Sequence, residues 1–204
     1  MKKCRLLLIC SLICSSFFVE SCRRRRYDHS SISQSEESFD ESFIFSYHED
    51  TNTYSFKLDE NFKNEVRNVK VPAKYNDCNV TEIEDNAFKG FEYISSITLP
   101  NSISRIGFGA LEGCHRIESL SVPFIGETKN DNKYLGYIFG EEAYTSYIKL
   151  PQYLKDIYVR DANDIGEGAF YNGVVNTVNF NNGLEEIGGF SFRMAEITAI
   201  SIPN

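Results

Sequence analysis

From residue 43 onward the chain alternates apolar and polar positions in short bursts. Ile97-Thr98-Leu99, Leu120-Ser121-Val122, Ile157-Tyr158-Val159, Val178-Asn179-Phe180 and Ile200-Ser201-Ile202 each set one polar or amphipathic residue between two apolar ones. Successive side chains on a strand point to opposite faces. Each triplet therefore predicts a short strand, with Thr98, Ser121, Tyr158, Asn179 and Ser201 on one shared outer face. Pro100 and Pro123 stop two of these strands, because proline has no N–H for a ladder. Between strands, Ser104-Arg105-Ile106-Gly107 predicts a bend. Asp85-Asn86-Ala87-Phe88-Lys89-Gly90 predicts a short helical or irregular stretch, with a small and a large residue side by side for packing between coils.

The bursts recur in register. Val80, Ile83, Ala87, Phe88, Gly90, Ile94, Ile97, Leu99 and Pro100 match Ile103, Ile106, Ala110, Leu111, Gly113, Ile117, Leu120, Val122 and Pro123, every pair 23 positions apart. Ile165, Phe170, Val175, Val178 and Phe180 match Ile187, Phe192, Ile197, Ile200 and Ile202 at a spacing of 22. A single coil cannot bury its own apolar edges, whereas stacked coils can, with their strands paired in parallel. The expected fold is a repeat solenoid: a right-handed, leucine-rich-repeat-like coil of short parallel strands joined by short helical or irregular segments. At its start, the alternation of 43–47 and 53–58 around a polar 48–52 predicts a β-hairpin, so 43–65 reads as a cap on the first coil. At its far end no polar cap follows the last strand. That predicts an exposed edge, managed by a dimer, a partner chain or local fraying.

The pattern Ile-x-x-x-Ala-Phe-x-Gly followed by Ile-x-x-Ile-x-Leu-Pro, carried by residues 83–90 and 94–100, resembles the BspA-type leucine-rich repeat of bacterial and some protist surface proteins. The resemblance covers 66–204. It includes the stretch from Val69 to Ile83 and a long insertion at about 124–150, with Tyr134-Leu135-Gly136-Tyr137-Ile138-Phe139-Gly140 inside it. One departure is that Phe91 stands where Cys114 stands in the next repeat, so the family's Gly-Cys pair occurs once. The resemblance implies a binding protein rather than an enzyme. Its partner would be a protein ligand, such as a host extracellular or cell-surface protein, and its role adhesion to host or neighbouring cells.

The first 22 residues read as an address. Lys2, Lys3 and Arg5 precede an apolar run from Leu6 to Val19. As a helix this run spans about 21 Å, short of a bilayer core, and it suits a secretory signal. Val19-Glu20-Ser21-Cys22 resembles the lipobox of bacterial lipoproteins, which makes Cys22 a lipidation candidate. Val19 and Ser21 fit that pattern. Glu20 departs from it, and the following Arg23–Arg26 block resists translocation. Plain signal cleavage and an uncleaved membrane anchor remain alternatives. Residues 23–42, basic and then rich in Ser, Glu and Asp, predict a flexible tether. The chain is thus expected to be exported, and either surface-anchored or secreted.

The formal net charge is −8 although four arginines sit in one block, so the body is acidic. An acidic body repels phosphate backbones and argues against nucleic acid as a partner. The three histidines, His29, His48 and His115, suggest no nucleophile–base arrangement. Cys78 and Cys114 lack zinc-ligand spacing. Cys114 reads as a buried core thiol, with a Cys78–Cys114 disulfide as the alternative. Asn130-Asp131-Asn132 offers oxygen ligands without a complete calcium-loop pattern. No catalytic residue, metal site or cofactor is predicted. Recognition falls instead to two candidate surfaces. One is the outer row Thr98, Ser121, Tyr158, Asn179 and Ser201, which could equally be plain solvated strand. The other is the insertion, through Tyr134 and Tyr137, which could equally pack back on the solenoid. Self-association through the open last coil is the alternative to a foreign partner.

Overall fold

The computed structural model describes residues 40–143 and 150–202. The signal-like segment, Cys22 and nearly all of the tether therefore lie outside the described residues. The body is a β-solenoid of about six turns, with mostly parallel strands and little helix.

The chain opens with a hairpin of β1 (Phe43–His48) and β2 (Thr53–Leu58), paired antiparallel from Phe43 opposite Leu58 to His48 opposite Thr53. A short 3-10 turn, Glu60–Phe62, follows, with Asp59 accepting from the Asn61 N–H at 2.9 Å. Then come β3 (Asn68–Lys70), β4 (Lys74–Tyr75), β5 (Cys78–Ile83), β6 (Ser96–Thr98), β7 (Arg105–Ile106), β8 (Ser119–Val122) and a helical turn α1 (Leu135–Ile138). After these come β9 (Asp156–Val159), β10 (Asp164–Ile165), β11 (Val174–Phe180), β12 (Glu186–Ile187) and β13 (Glu196–Ser201). One six-stranded parallel sheet, in the order β3-β6-β8-β9-β11-β13, forms the long side of the stack.

The apolar residues of the alternating triplets make the inner column of that sheet. Val69, Ile97, Leu120, Ile157 and Val178 stand in register and are all buried. Each such side chain contributes about 1.5–3 kcal/mol on burial, so the columns hold coil to coil. A second side is built from short parallel pairs. Phe56 on β2 stands beside Ile83 on β5, and Ile83 beside Ile106 on β7. Farther along, Ile165 on β10 pairs with Ile187 on β12. On the third side, backbone bonds run from turn to turn. Phe88 N donates to Ala110 O at 2.8 Å and Phe170 N to Ser191 O at 2.7 Å. The small and large residues of the repeat, Ala87-Phe88, Ala110-Leu111 and Ala169-Phe170, are buried there.

The insertion is a coil of the stack rather than a loop hung outside it. Ile106 N donates to Glu127 O, Gly109 N to Tyr137 O and Leu111 N to Ile138 O on one side, while Leu135 N donates to Ala169 O on the other. Phe124, Ile125, Leu135, Ile138 and Phe139 are buried. Ile138-Phe139-Gly140 repeats the turn grammar of Leu111-Glu112-Gly113, and both glycines have left-handed φ, +88° and +78°. Thr128, whose hydroxyl accepts from the N–H groups of Asn130 and Asp131, folds the polar stretch 128–132 into a local turn.

The hairpin packs on the first coil through rings. Phe43 meets Phe56 edge-on at 5.0 Å, Phe45 stacks on Tyr75 at 4.0 Å, and Phe56 lies 5.8 Å from Phe88. Leu58 N donates to Ala87 O at 3.1 Å. Glu84 accepts from Ser46 at 2.9 Å and Ser55 at 2.7 Å, with the Lys57 ammonium at 3.5 Å. Burial pushes this carboxyl upward, but the two hydroxyls and Lys57 together outweigh that and hold it below its usual value.

At the other end lies the coil of β12 and β13. Ile187, Phe190, Met194, Ile200 and Ile202 are exposed. Phe190 and Met194 also have left-handed φ of 56° each, a conformation costly for residues with a Cβ.

Candidate interaction surface

Parallel sheets are ordinarily covered on both faces. Here the inner face is filled by the solenoid core, and among the described residues no strand or helix covers the outer face. Strand register brings the expected outer row into one line: Thr98 pairs with Ser121, Ser121 with Tyr158, Tyr158 with Asn179, and Asn179 with Ser201. Lys70 extends the line at its start, opposite Thr98. Thr98, Ser121 and Asn179 are half-buried by their neighbours, Ser201 is exposed, and Tyr158 is 42% exposed.

A second row lies two positions earlier on the same face and runs Asn68, Ser96, Ser119, Asp156, Thr177 and Ala199. Sequence reasoning missed it, although the same alternation marks it: Ser96 and Thr98 flank Ile97. Its side chains bond across strands. Ser95 and Ser96 both donate to Asn68 Oδ1, at 3.0 and 2.7 Å, and the Thr177 hydroxyl donates to Asp156. At the rim where the strands begin, the guanidinium groups of Arg67 and Arg116 lie over the Tyr93 ring at 4.7 and 4.9 Å from its centroid. Lys155 pairs with Glu118 at 2.8 Å, and Tyr153 is exposed beside it in sequence. Nothing in the repeat pattern marks Arg67, Tyr93 or Arg116, because none of them is buried in the core that sets the pattern.

The profile of the BspA type leucine rich repeat region matches residues 56–161 and 137–204, in six copies. The chain belongs to the BspA-type leucine-rich repeat family. No curated protein matches the chain. Among solved structures it is similar to a leucine-rich repeat protein of T. pallidum, at 19% identity over 81% of this chain and 71% of that one, with a TM-score of 0.47. A leucine-rich repeat protein of Bacteroides ovatus gives 21% identity over 82% of this chain and 41% of that one, TM-score 0.43. A leucine rich cell surface protein of Faecalibacterium prausnitzii gives 15% over 79% and 54%, TM-score 0.39.

Within this BspA-type chain the other candidates resolve as follows. Tyr134 and Tyr137 are each only 8% exposed and pack back on the solenoid. Their coil sits inside the stack, their rings pack on one another at 6.2 Å, and Tyr137 meets Phe108 edge-on at 5.4 Å. The Tyr134 hydroxyl donates to Glu141 O at 3.1 Å. Burial raises both phenols, and nearby Glu127 helps push Tyr137 up to about 12. Cys114 is a free, buried thiol donating to Phe88 O at 3.0 Å, so a Cys78–Cys114 disulfide does not form. Burial pushes its thiol up to about 12.

On the second side, a shallow cleft of about 430 Å³ is lined by His48, Asp50, Thr81, Glu82, Ser104 and Arg105 among others. Arg105 is already engaged by Glu82 at 2.6 Å, Asp85 at 2.8 Å and Glu127 at 3.5 Å, which makes it a tie between coils. Among the described residues no group of three His, Cys, Asp or Glu side chains could hold a metal ion, and no helix is long and apolar enough to cross a membrane.

Proposed function

We propose that this chain is a surface-displayed or secreted recognition protein that binds a protein partner through the outer face of its parallel sheet. The contact would hold the producing cell to host or neighbouring cells. The observation that carries this reading is the uncovered polar face of the six-stranded sheet, from Lys70 to Ser201. The backbone under it is held rigid by the buried columns, so little ordering entropy is lost when a partner docks. Tyr158 projects from its middle with a large, low-entropy contact area suited to a hot spot. BspA-type repeats are a scaffold for protein binding, and residues 1–42 supply the means of export and tethering, with Cys22 as the proposed lipid-bearing residue. A lipid on Cys22, or the uncleaved apolar run, would anchor the body to a membrane.

The test compares adhesion of cells carrying the native chain with cells carrying Thr98→Arg/Asn179→Arg, across a panel of matrix proteins and host cells. The variant blocks the face with bulk and charge. Surface changes of this kind shift stability by only about 0.5 kcal/mol, so adhesion should fall while folding holds. Equal adhesion by both would remove the outer face from the account.

A second reading rests on Ile187, Phe190, Met194 and Ile200, exposed together on the last coil. There the edge of β13 could pair with a second copy and bury those side chains. Sedimentation over a hundredfold concentration range tests it. Dimers that disappear in Ile200→Lys support it, and a monomer throughout removes it.

A further inference from the structure

The chain carries a formal net charge of −8, yet one end of the outer face is cationic and unneutralised. Among the described residues no carboxylate forms an ion pair with Arg67, Lys70 or Arg116. Elsewhere among the described residues Lys57, Lys63, Lys89, Arg105, Lys129, Lys133 and Lys155 have carboxylate partners, while Lys74, Arg160 and Arg193 stand apart from one another without one. The two guanidinium groups are also held in place. Arg67 and Arg116 come from the coils on either side of Tyr93, and both lie over its ring, at 4.7 and 4.9 Å. Stacking of this kind fixes the planar fork while leaving its edge N–H groups free to meet an anion. Arg67 spends one nitrogen on the carbonyls of Asn64 and Val66, at 2.8 and 3.2 Å, which steadies it further.

We infer that Arg67, Tyr93 and Arg116, with Lys70 farther along the edge strand β3, form an anion clamp that selects an acidic, extended protein segment for the outer sheet face. This rests on the proposed role of that face. Guanidinium groups on either side of one ring match carboxylates roughly 7 Å apart, the spacing of positions i and i+2, which share one face of an extended strand. The rest of the face shows why the partner is a protein and not a polyanion. Beyond Lys70 its rows carry Thr98, Ser121, Tyr158, Asn179 and Ser201, then Ser96, Ser119, Asp156, Thr177 and Ala199, without another cation. A sulfated polysaccharide, charged on every unit, would find an anchor at one end and the Asp156 carboxylate beyond it. A protein segment with two carboxylates followed by neutral residues fits both parts.

The experiment is selection of a random octapeptide display library on the full chain, followed by fluorescence anisotropy with the recovered synthetic peptides and with heparin. The expected result is enrichment of Asp or Glu pairs two positions apart. Those peptides should weaken at least tenfold when their acids become amides, and at least tenfold against Arg67→Gln/Arg116→Gln. They should weaken by a smaller factor against Arg67→Lys/Arg116→Lys, which keeps charge but loses the fork. Unchanged thermal unfolding of both variants shows that the face survives. Enriched peptides without acids, insensitive to the arginine variants but lost in Tyr158→Ser, would overturn the clamp and leave the sheet-face reading standing. Heparin binding tighter than any peptide, and abolished by Arg67→Gln/Arg116→Gln, would overturn the choice of a protein partner. No enrichment of any peptide would count against clamp and face together.

Discussion

Gly107 tests how closely the coils are stacked. A Cβ added there would lie 2.3 Å from the Asp85 nitrogen, 2.4 Å from its Oδ1 and 2.5 Å from its Cα. Asp85 belongs to the preceding coil, and most of what would be struck is backbone, which cannot swing away. Ordinary contact is about 3.4 Å or more, so Gly107→Ala must open the two coils by about 1 Å. That movement would stretch the bond from Gly107 N to Ile83 O, now 2.8 Å, and the bond from Phe108 N to Asp85 Oδ1, now 3.1 Å. Overpacking costs about 1–3 kcal/mol, and each weakened hydrogen bond costs about 1 more. The expected loss is about 3–5 kcal/mol, or roughly 6–20 °C in Tm for a body of this size.

Two other glycines calibrate the assay. Gly90 has φ of +74° but only the end of Lys63 near its missing Cβ, at 3.8 Å, so Gly90→Ala should lose about 1–2 kcal/mol from strain alone. Gly189 has nothing within 4 Å, and Gly189→Ala should stay within about 0.5 kcal/mol of the native chain or gain slightly. Thermal and urea unfolding followed by circular dichroism rank the three. A Gly107→Ala protein as stable as Gly189→Ala would refute the close approach of these coils.

Three further outcomes are expected. Glu84 has its folded pKa below its unfolded one. Its stabilising effect is therefore complete above the ordinary glutamate range and fades as pH falls through that range toward the lower folded value. Melting curves from pH 7 to pH 3 should show Glu84→Gln losing less stability over this window than the native chain. Met194 is 63% exposed with left-handed φ, so Met194→Gly should raise stability by about 0.5–1 kcal/mol in urea titrations, because it removes strain and little packing. Arg160 donates to Asn101 Oδ1 at 2.7 Å and to Leu99 O, pinning the end of β9 back to the end of β6 across β8. Arg160→Met should cost about 1–3 kcal/mol by the same measurement.

The repeat grammar was legible because burial enforces it. Ile97, Leu120, Ile157 and Val178 occupy one column, and any polar substitute there would be buried without a partner. The outer row followed from the same alternation, since a strand that fixes Ile97 inward fixes Thr98 outward. The inserted coil was harder to read. Its spacing from Leu120 to Ile157 breaks the 22–23-residue period, so Tyr134 and Tyr137 look like loop residues until the backbone bonds to Gly109 and Leu111 are seen. The stacking of Arg67 and Arg116 on Tyr93 was invisible for a different reason. It joins three coils through side chains that the core does not constrain, and no periodic signal records such a contact.

The central claim, that the outer sheet face meets a protein, is tested most directly by photo-cross-linking on intact, adhering cells. One cross-linking residue replaces Tyr158 in the middle of the face, and another replaces Lys89 on the turn side. The account predicts a discrete cross-linked protein product from position 158 and none from position 89. The same product from both positions, or from position 89 alone, would contradict it.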